Sequence, residues 1–264
     1  MEAIPIRNPF PGAVSLLIAS TSSTQSEARR LAARLPGGSP FPPGSVVAAE
    51  EQSAGRGRFP ERKWVSESGK NLLCTVFLDP SAASLPGLPI RIGSALCAAA
   101  DLYAKGLSGL SAPRSCLKWP NDLMIGDRKA AGILCEAGSS GVFAGVGLNC
   151  NQVSFPSDLE LGATSLAREL GREVSRWALL ELFLAELAAA LGDENWRRSA
   201  EGRLWKRGET ATFFPGRESS DQRSGRGALQ GKLVGIDGEG SLLFRKKGAI
   251  VTRAYPAGEL RAGH

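Results

Sequence analysis

Charged residues that could do chemistry stand at the ends of short predicted strands, in the run KWPND at 118–122 and the run KAAGILCE at 129–136. Proline lacks an amide donor and asparagine accepts turn geometry, so both break a strand. The pattern predicts three short strands joined by two tight turns, which leaves Lys118, Asp122 and Lys129 at strand ends. A fixed lysine can hold a carboxylate or a phosphate, and a neighbouring aspartate can hold a Mg²⁺ that bridges phosphates. Binding of an anionic substrate is one interpretation, and ordinary charge on two solvent-exposed hairpins is the other.

A second candidate is the segment 52–64, QSAGRGRFPERKW, in which glycine and arginine alternate. Backbone amides and guanidinium groups in such a loop can surround a phosphate. It is not a Walker loop, because no Gly-Lys-Ser or Gly-Lys-Thr follows. Taken alone, the segment is equally consistent with an RNA-binding element or a solvated loop.

Two further segments carry polar groups next to predicted strands. A polar turn is expected at 20–24, and residues 24–27 (TQSE) have the form of a capping box that opens a helix ending near Leu35. The segment 145–151, GVGLNCN, contains Gly-x-Gly, but Cys150 stands where a dinucleotide fingerprint needs its third glycine. Close approach of a ligand or of another backbone is the simpler explanation of these glycines.

The composition limits the possible chemistry. The 264-residue chain is 42% hydrophobic and has a net charge of +6 at pH 7 with a pI near 9.3, which suits a soluble globular protein with an anionic partner. Its one histidine is the last residue, His264, and its five cysteines are spread singly, so no histidine-based triad, zinc site or disulfide framework is expected. No apolar run approaches the ~20 residues of a membrane span, and the N-terminus lacks an apolar secretory core. We therefore expect a cytoplasmic protein without a membrane partner, whose chemistry depends on Lys, Arg, Asp and Glu.

Hydrophobic periodicity predicts a larger first domain and a small second one. Further strands are expected at 14–19, 45–50, 71–78 and 142–149, and helices at 86–106, 176–191 and 195–205. After Lys206 the chain changes to short β runs punctuated by glycine, with a long loop at 218–226, which predicts a small β-barrel. Strands outnumber crossover helices, so the expected fold class is α+β, with a mixed β-sheet that has helices packed on one face. The expected domains are residues 1–206 and residues 207–264.

These motifs, in this order, closely resemble those of the biotin protein ligases, which attach biotin to acetyl-CoA carboxylase. The resemblance covers residues 23–261 and rests on KWPND, KxxGIL, the GRGR loop with Arg62 and Trp64, and GxGxNxN. The chain departs from the family at Gln25, where asparagine is usual, at Ala131, where a second glycine is usual, and in one extra residue before Arg62. The resemblance implies a short form of the enzyme, with a class II synthetase-like catalytic domain and a C-terminal SH3-like β-barrel.

The resemblance also implies a role for each matching residue. Lys129, Asp122 and Arg58 would be catalytic, with Lys129 bridging the biotin carboxylate and the α-phosphate, and Asp122 holding Mg²⁺ or orienting the incoming lysine. The residues implied in binding biotin are Ser23, Thr24, Gln25, Gln52, Arg56, Gly57, Arg58, Lys129 and Gly132. Those implied in binding ATP or the adenylate are Arg58, Arg62, Trp64, Lys118, Asn121, Asn149 and Asn151.

The activity so implied has two steps, with biotin and ATP as substrates, Mg²⁺ accompanying ATP, and Trp64 covering the bound intermediate. Biotin is first converted to biotinyl-5′-AMP and is then transferred to a lysine of a biotin carboxyl carrier protein or domain. No DNA-binding domain is expected, because few residues precede the first predicted strand at Val14. A monomer and a homodimer are both compatible with the sequence.

Two other classes of protein stay open. Lipoate–protein ligases and octanoyltransferases share the fold, but they would lack the GRGR…W loop and would need an aliphatic pocket without partners for a ureido ring. The other alternative is a non-catalytic protein that binds biotin, or that binds nucleic acid through the Arg/Gly loop and the basic barrel. Strongly salt-dependent binding to RNA or DNA would indicate the nucleic-acid-binding protein.

Overall fold

The computed structural model describes residues 1–33, 41–59, 61–108, 114–159, 162–216 and 227–262. Within these residues, eight strands form a large sheet and five strands form a second sheet. The strands of the large sheet are β1 (Glu2–Ala3), β2 (Ser15–Thr21), β3 (Val46–Gln52), β4 (Leu72–Leu78), β5 (Ser115–Lys118), β6 (Asp122–Ile125), β7 (Arg128–Gly138) and β8 (Gly141–Leu148). The helices are α1 (Thr24–Ala32), α2 (Leu88–Ser108), α3 (Leu166–Leu170), α4 (Arg176–Gly192) and α5 (Trp196–Glu201), with a 3₁₀ turn at Pro80–Ser84.

The large sheet has the strand order β1-β2-β3-β4-β8-β7-β6-β5. Strands β2 and β3 run parallel, and the other neighbouring strands run antiparallel. A parallel pair needs a crossover connection, and α1 lies within it. The sheet is therefore mixed, as predicted, and the two hairpins predicted over 116–136 are present as β5, β6 and β7.

Alternate residues of the central strands enter two separate apolar clusters. On β3, Val46 and Ala48 join the larger cluster with α2 and α4, whereas Val47 joins a smaller cluster with α1. Because successive side chains of a strand point to opposite faces, the two clusters lie on opposite faces of the sheet. The two long helices thus share one face, as predicted, and the short helix α1 covers part of the other face.

The C-terminal strands are β9 (Thr210–Pro215), β10 (Leu229–Ile236), β11 (Leu242–Lys246), β12 (Arg253–Tyr255) and β13 (Gly258–Ala262). They form an antiparallel sheet in the order β12-β11-β10-β9-β13, consistent with the predicted small β domain. Trp119 joins this sheet to the large one, because its buried indole donates to the carbonyl of Gly240 at 2.9 Å and meets the ring of Phe213 edge-on. One apolar cluster is continuous across both sheets, and the domain boundary at 206/207 stays a prediction.

The predicted capping box at 24–27 is wrong. Thr24 is the first residue of α1, and Ser23 occupies the N-cap position without a side-chain capping bond. The Thr24 hydroxyl is instead bonded to Gln52 and Thr75 on neighbouring strands. Tertiary partners have replaced the local bond that the spacing indicated.

Other differences concern the ends of elements. The polar turn predicted at 20–24 is partly strand, because β2 continues to Thr21. The helix predicted at 195–205 is shorter in the structure, where α5 covers only Trp196–Glu201. The helix end predicted near Leu35 and the loop predicted at 218–226 lie outside the described residues. Among the helices that the structure describes, none combines the length and the apolar character needed to cross a bilayer.

Candidate active site

Sheet register aligns four residues across β5, β6, β7 and β8. Lys118 pairs with Asp122, and Asp122 pairs with Gly132. Gly132 pairs in turn with Gly147. Directly paired residues point to the same face, which here is the face of α1, because Phe143 on the strand of Gly147 packs in the α1 cluster. At one end of this row lie the charged side chains of Lys118 and Asp122, and at the other end Gly132 and Gly147 present only backbone. A ligand could therefore lie on the glycines with an anionic group near the charged end.

The two glycines of the row support the indole of Trp64. A Cβ atom at Gly147 would lie 2.5 Å from the ring atom Cε2, and one at Gly132 would lie 3.1 Å from Cζ3. The Lys129 ammonium lies 5.8 Å from the centroid of the same ring. Glycine is therefore required at Gly147 for the indole to pack on the sheet. The indole covers the glycine surface in this structure, so Trp64 would have to move for a ligand to lie there, and its role as a lid stays a prediction.

A cavity of about 840 Å³ opens over this face, a size typical of sites for small molecules. It brings together fifteen of the residues predicted for the site. These are Ser23, Thr24, Gln25, Gln52, Arg56, Gly57, Arg58, Arg62, Trp64, Lys118, Asn121, Asp122, Lys129, Gly132 and Asn149.

The charged end of the cavity is built around Asp122, whose Oδ1 lies 2.6 Å from Lys129 Nζ. Burial acts to raise the pKa of Asp122, but the charges of Lys129, Lys118 and Arg58 hold that pKa below its ordinary value. Burial lowers the pKa of Lys118 and of Arg58, and the charge of Asp122 opposes both shifts. Three cations thus surround an ionised Asp122, which leaves positive charge available to an anionic substrate.

The opposite end of the cavity is uncharged and polar. The backbone amide of Thr24 and its hydroxyl both donate to Gln52 Oε1, at 2.8 and 3.1 Å. The same hydroxyl lies 2.9 Å from that of Thr75. Gln25 donates from Nε2 to the Leu134 carbonyl at 2.6 Å. These hydrogen bonds hold the first residues of α1 against strands β3, β4 and β7 beside the cavity.

The glycine–arginine segment forms a hairpin-like loop that reaches the C-terminal domain. Backbone bonds join Gly57 to Arg62 and Trp64 to Gly55 across the loop. Arg58 donates to the carbonyl of Gly258 at 2.9 Å. The loop therefore spans the cavity from the sheet to β13.

Sequence reasoning missed two site residues on β13. Glu259 pairs with Arg62 at 2.6 Å and with Arg261 at 3.5 Å, and both Glu259 and Arg261 line the cavity. The resemblance covered this segment only as the end of the barrel. No local pattern could have assigned it to the site, because the assignment depends on where the second domain docks.

The three predicted asparagines have different environments. Asn121 donates to the carbonyl of Ile133 and Asn149 to that of Thr164, and both line the cavity. Asn151 does not line it, because its side chain donates to and accepts from the backbone of Val174. The geometry gives Asn151 a structural role, and the predicted contact with the nucleotide is not supported.

Asp122, the predicted magnesium ligand, does not belong to a cluster of metal-binding side chains in the part of the chain that the structure describes. In the described residues, no group of three His, Cys, Asp or Glu side chains is placed to hold an ion. Asp122 is also surrounded by cations, which disfavours a bare dication beside it. A Mg²⁺ at Asp122 would need phosphate oxygens of a nucleotide as further ligands.

The chain matches the model of the Biotin/lipoate A/B protein ligase family over residues 17–152, and it belongs to that family. It is 33% identical, over 94% of its length, to the biotin--[acetyl-CoA-carboxylase] ligase of Paracoccus denitrificans, all of which is covered. It is 31% identical to the bifunctional ligase/repressor BirA of Bacillus spizizenii, over 87% of this chain and 68% of that protein.

Solved structures agree with this assignment. The fold is similar to that of biotin protein ligase from Aquifex aeolicus in complex with biotin and ATP, with a TM-score of 0.76, 25% identity and coverage of 94% of this chain and 99% of that chain. Biotin protein ligase from Leishmania major in complex with biotin shares the fold at a TM-score of 0.61 and 23% identity, over 97% and 100% of the two chains. The predicted family and fold class are confirmed.

Proposed function

We propose that the protein activates biotin with ATP to biotinyl-5′-AMP and transfers biotin to a lysine of the biotin carboxyl carrier protein of acetyl-CoA carboxylase or a related carboxylase. The observation that carries the proposal is the ion pair of Lys129 and Asp122 at the charged end of a bare sheet face. The relatives named as biotin ligases, and the similar structure that holds biotin and ATP, support the choice of substrates.

In the first step, a carboxylate oxygen of biotin forms a bond to the α-phosphorus of ATP, and the bond from that phosphorus to the bridging oxygen breaks, releasing pyrophosphate. Two anions must approach each other, so cations that neutralise both lower the barrier. We assign this role to Lys129, and its proximity to Asp122, on which Lys118 and Arg58 also act, supports the assignment. In the second step, the neutral amine of the carrier lysine attacks the carbonyl of the mixed anhydride, AMP leaves, and the amine loses a proton.

The loop arginines would hold phosphates after exchanging partners. Arg58 now donates to a backbone carbonyl and Arg62 to Glu259, and a phosphate is a stronger acceptor for either guanidinium. Trp64 would shield the reactive anhydride from water. We propose that Mg²⁺ enters with ATP and that Asp122 is its protein ligand. A cytoplasmic location and a monomeric or homodimeric state remain predictions.

The test is ATP–pyrophosphate exchange with and without biotin. We expect exchange that requires biotin and that falls about 10²–10³-fold in Lys129→Ala, because a cation that stabilises the transition state is removed. Lys105→Ala, an exposed change on α2, is the matched control and should keep full activity. Exchange with lipoate or octanoate in place of biotin would assign the sister activity. Biotin binding without any exchange would indicate a binding protein and would refute the mechanism.

A further inference from the structure

The outer face of the C-terminal sheet carries two cations directly opposite each other. Lys232 on β10 pairs with Arg245 on β11, both side chains are exposed, and neither forms an ion pair with another described residue. The next pair along the strands, Leu233 and Phe244, is buried in the core, so Lys232 and Arg245 point away from it. Like charges directly opposite each other destabilise a pair of strands. An anionic partner on this face would offset that repulsion.

The same face continues to the active-site cavity. Arg261 on β13 pairs with Thr212 on β9, and Thr212 pairs with Gln230 on β10. The row extends to the exposed Lys247, whose backbone N–H donates to the Gln230 carbonyl at 2.7 Å. Gln230 and Lys232 are two residues apart on one strand and therefore point to the same face. Because Arg261 also lines the cavity, a partner that covers this face reaches the edge of the active site.

The acid on this face is already paired and lies on its far side. Glu259 on β13 pairs with Arg62 at 2.6 Å and with Arg261 at 3.5 Å. Strands β9 and β10 separate β13 from β11, which carries Arg245. Glu259 therefore leaves the charges of Lys232 and Arg245 available to a partner.

The other side chains of this region favour a protein partner. Phe214, the aromatic residue that this face carries in the described part of the chain, is 6% exposed and lies beneath Arg261, so it offers no ring on which bases could stack. After Lys247 the chain exposes Ile250 and Val251, which are 94% and 68% exposed. A protein surface that has carboxylates around an apolar patch would match these cations and aliphatic side chains.

We infer that the basic face, formed by Lys232, Arg245, Lys247 and Arg261, docks the protein that accepts biotin, through carboxylates near its acceptor lysine. The inference rests on the proposed function and gives its second step a contact surface outside the cavity. Complementary charge would steer the acceptor protein to the face, and the cavity lies at the edge of that face. The face would take no part in the formation of the adenylate.

The first experiment removes three of these charges in Lys232→Gln/Arg245→Gln/Lys247→Gln and keeps Arg261, which lines the cavity. It measures biotin-dependent ATP–pyrophosphate exchange, and transfer of biotin to the purified biotin carboxyl carrier domain of acetyl-CoA carboxylase. We expect unchanged exchange, whereas kcat/KM for the carrier domain should fall about 5- to 30-fold at low ionic strength, through a higher KM. The difference from wild type should vanish at about 0.5 M salt, because exposed charges are then screened.

The matched control is Lys105→Gln/Arg172→Gln/Arg197→Gln, which removes the same charge at exposed positions in the first domain. Its transfer rate should fall at most about twofold. The first triple variant should also melt no lower than wild type, because it relieves the repulsion between Lys232 and Arg245. Equal losses of transfer in the two triple variants would reduce the effect to net charge and would overturn the inference.

A second measurement uses the wild-type protein and does not depend on any variant. Poly-L-glutamate should inhibit transfer to the carrier domain in competition with it, and should leave ATP–pyrophosphate exchange unaffected. Transfer that resists poly-L-glutamate would contradict the inference. Unchanged transfer in the first triple variant, together with lost binding to a short RNA or to vesicles of anionic phospholipid, would overturn it and assign the face to that partner. Wild-type protein without biotin-dependent exchange would instead overturn the proposed function, so the two failures are distinguishable.

Discussion

Lys129 Nζ lies 2.6 Å from Asp122 Oδ1 across the paired strands β6 and β7, at the charged end of the bare sheet face. Lys118 and Arg58 also act on this carboxylate. The negative charge of Asp122 therefore lies among the positive charges of Lys129, Lys118 and Arg58, at a site that is largely buried. Removing that negative charge should change both the free energy of unfolding and the affinity of the protein for anions.

Asp122→Asn keeps the shape of the side chain and removes its charge. We expect the free energy of unfolding to fall by about 1–3 kcal/mol, because Lys118 and Arg58 lose the larger of their two favourable charges and keep only that of Glu259, while Lys129 is partly solvated. Pyrophosphate should raise the melting temperature of the variant more than that of the wild type, since it restores the missing charge. Thermal unfolding with and without pyrophosphate measures both effects. Glu173→Gln, an exposed change, is the control, and equal stabilisation of Asp122→Asn and wild type would refute the electrostatic explanation.

The same carboxylate should make stability depend on pH. Burial acts to raise the pKa of Asp122, but Lys129, Lys118 and Arg58 bring it below its ordinary value of 3.8. The stabilisation is therefore fully present above that ordinary pKa and is lost as the pH falls through the lower pKa of the folded protein. We expect the difference in free energy of unfolding between wild type and Asp122→Asn to be constant at neutral pH and to shrink below pH ~4. Urea unfolding in pH steps checks this, and a difference that grows with acidity would contradict it.

Local patterns were enough to predict the strands and turns that carry these charges. Proline and Asn121 after Trp119 break the strand, and the glycine at 126 marks the next turn, so both hairpins follow from neighbouring residues. Their apolar runs are short and buried, which is what a strand in a covered sheet requires. Lys118 and Asp122 could therefore be placed at strand ends before any tertiary structure was known.

Features that depend on distant partners could not be predicted in this way. The alignment of Asp122 with Gly132 and Gly147 is a property of register between strands. Thr24 looked like a helix cap because its partners, Gln52 and Thr75, are remote in sequence. Asn151 matches the family motif, but its side chain hydrogen-bonds to the backbone of Val174, which lies outside that motif.

Gly147→Ala tests whether the indole of Trp64 can pack on the sheet only when the residue beneath it is glycine. The added methyl group would lie 2.5 Å from the ring, so the indole must shift away from the sheet. We expect affinity for biotin and ATP to fall about tenfold or more, with a change in tryptophan fluorescence. Gly106→Ala on α2, where a Cβ atom meets nothing within 4 Å, is the matched control and should leave affinity unchanged. Retained affinity in Gly147→Ala would mean that the indole does not have to lie on the sheet.

Glu259 connects the arginine loop to the second domain, and Glu259→Gln should loosen that loop. Its pair with Arg62 is partly exposed, so the expected contribution is at most about 1 kcal/mol, or roughly a fivefold change in local opening. The loop contains Arg56, Arg58 and Arg62, which trypsin recognises, so limited proteolysis of the ligand-free protein reports its opening directly. We expect faster cleavage in the loop for Glu259→Gln and no change for the exposed control Glu239→Gln. Biotin with ATP should slow cleavage in both variants, because phosphates then replace Glu259 as the acceptor for Arg62. If cleavage were equally slow in Glu259→Gln and wild type without ligand, the contact with β13 would not restrain the loop.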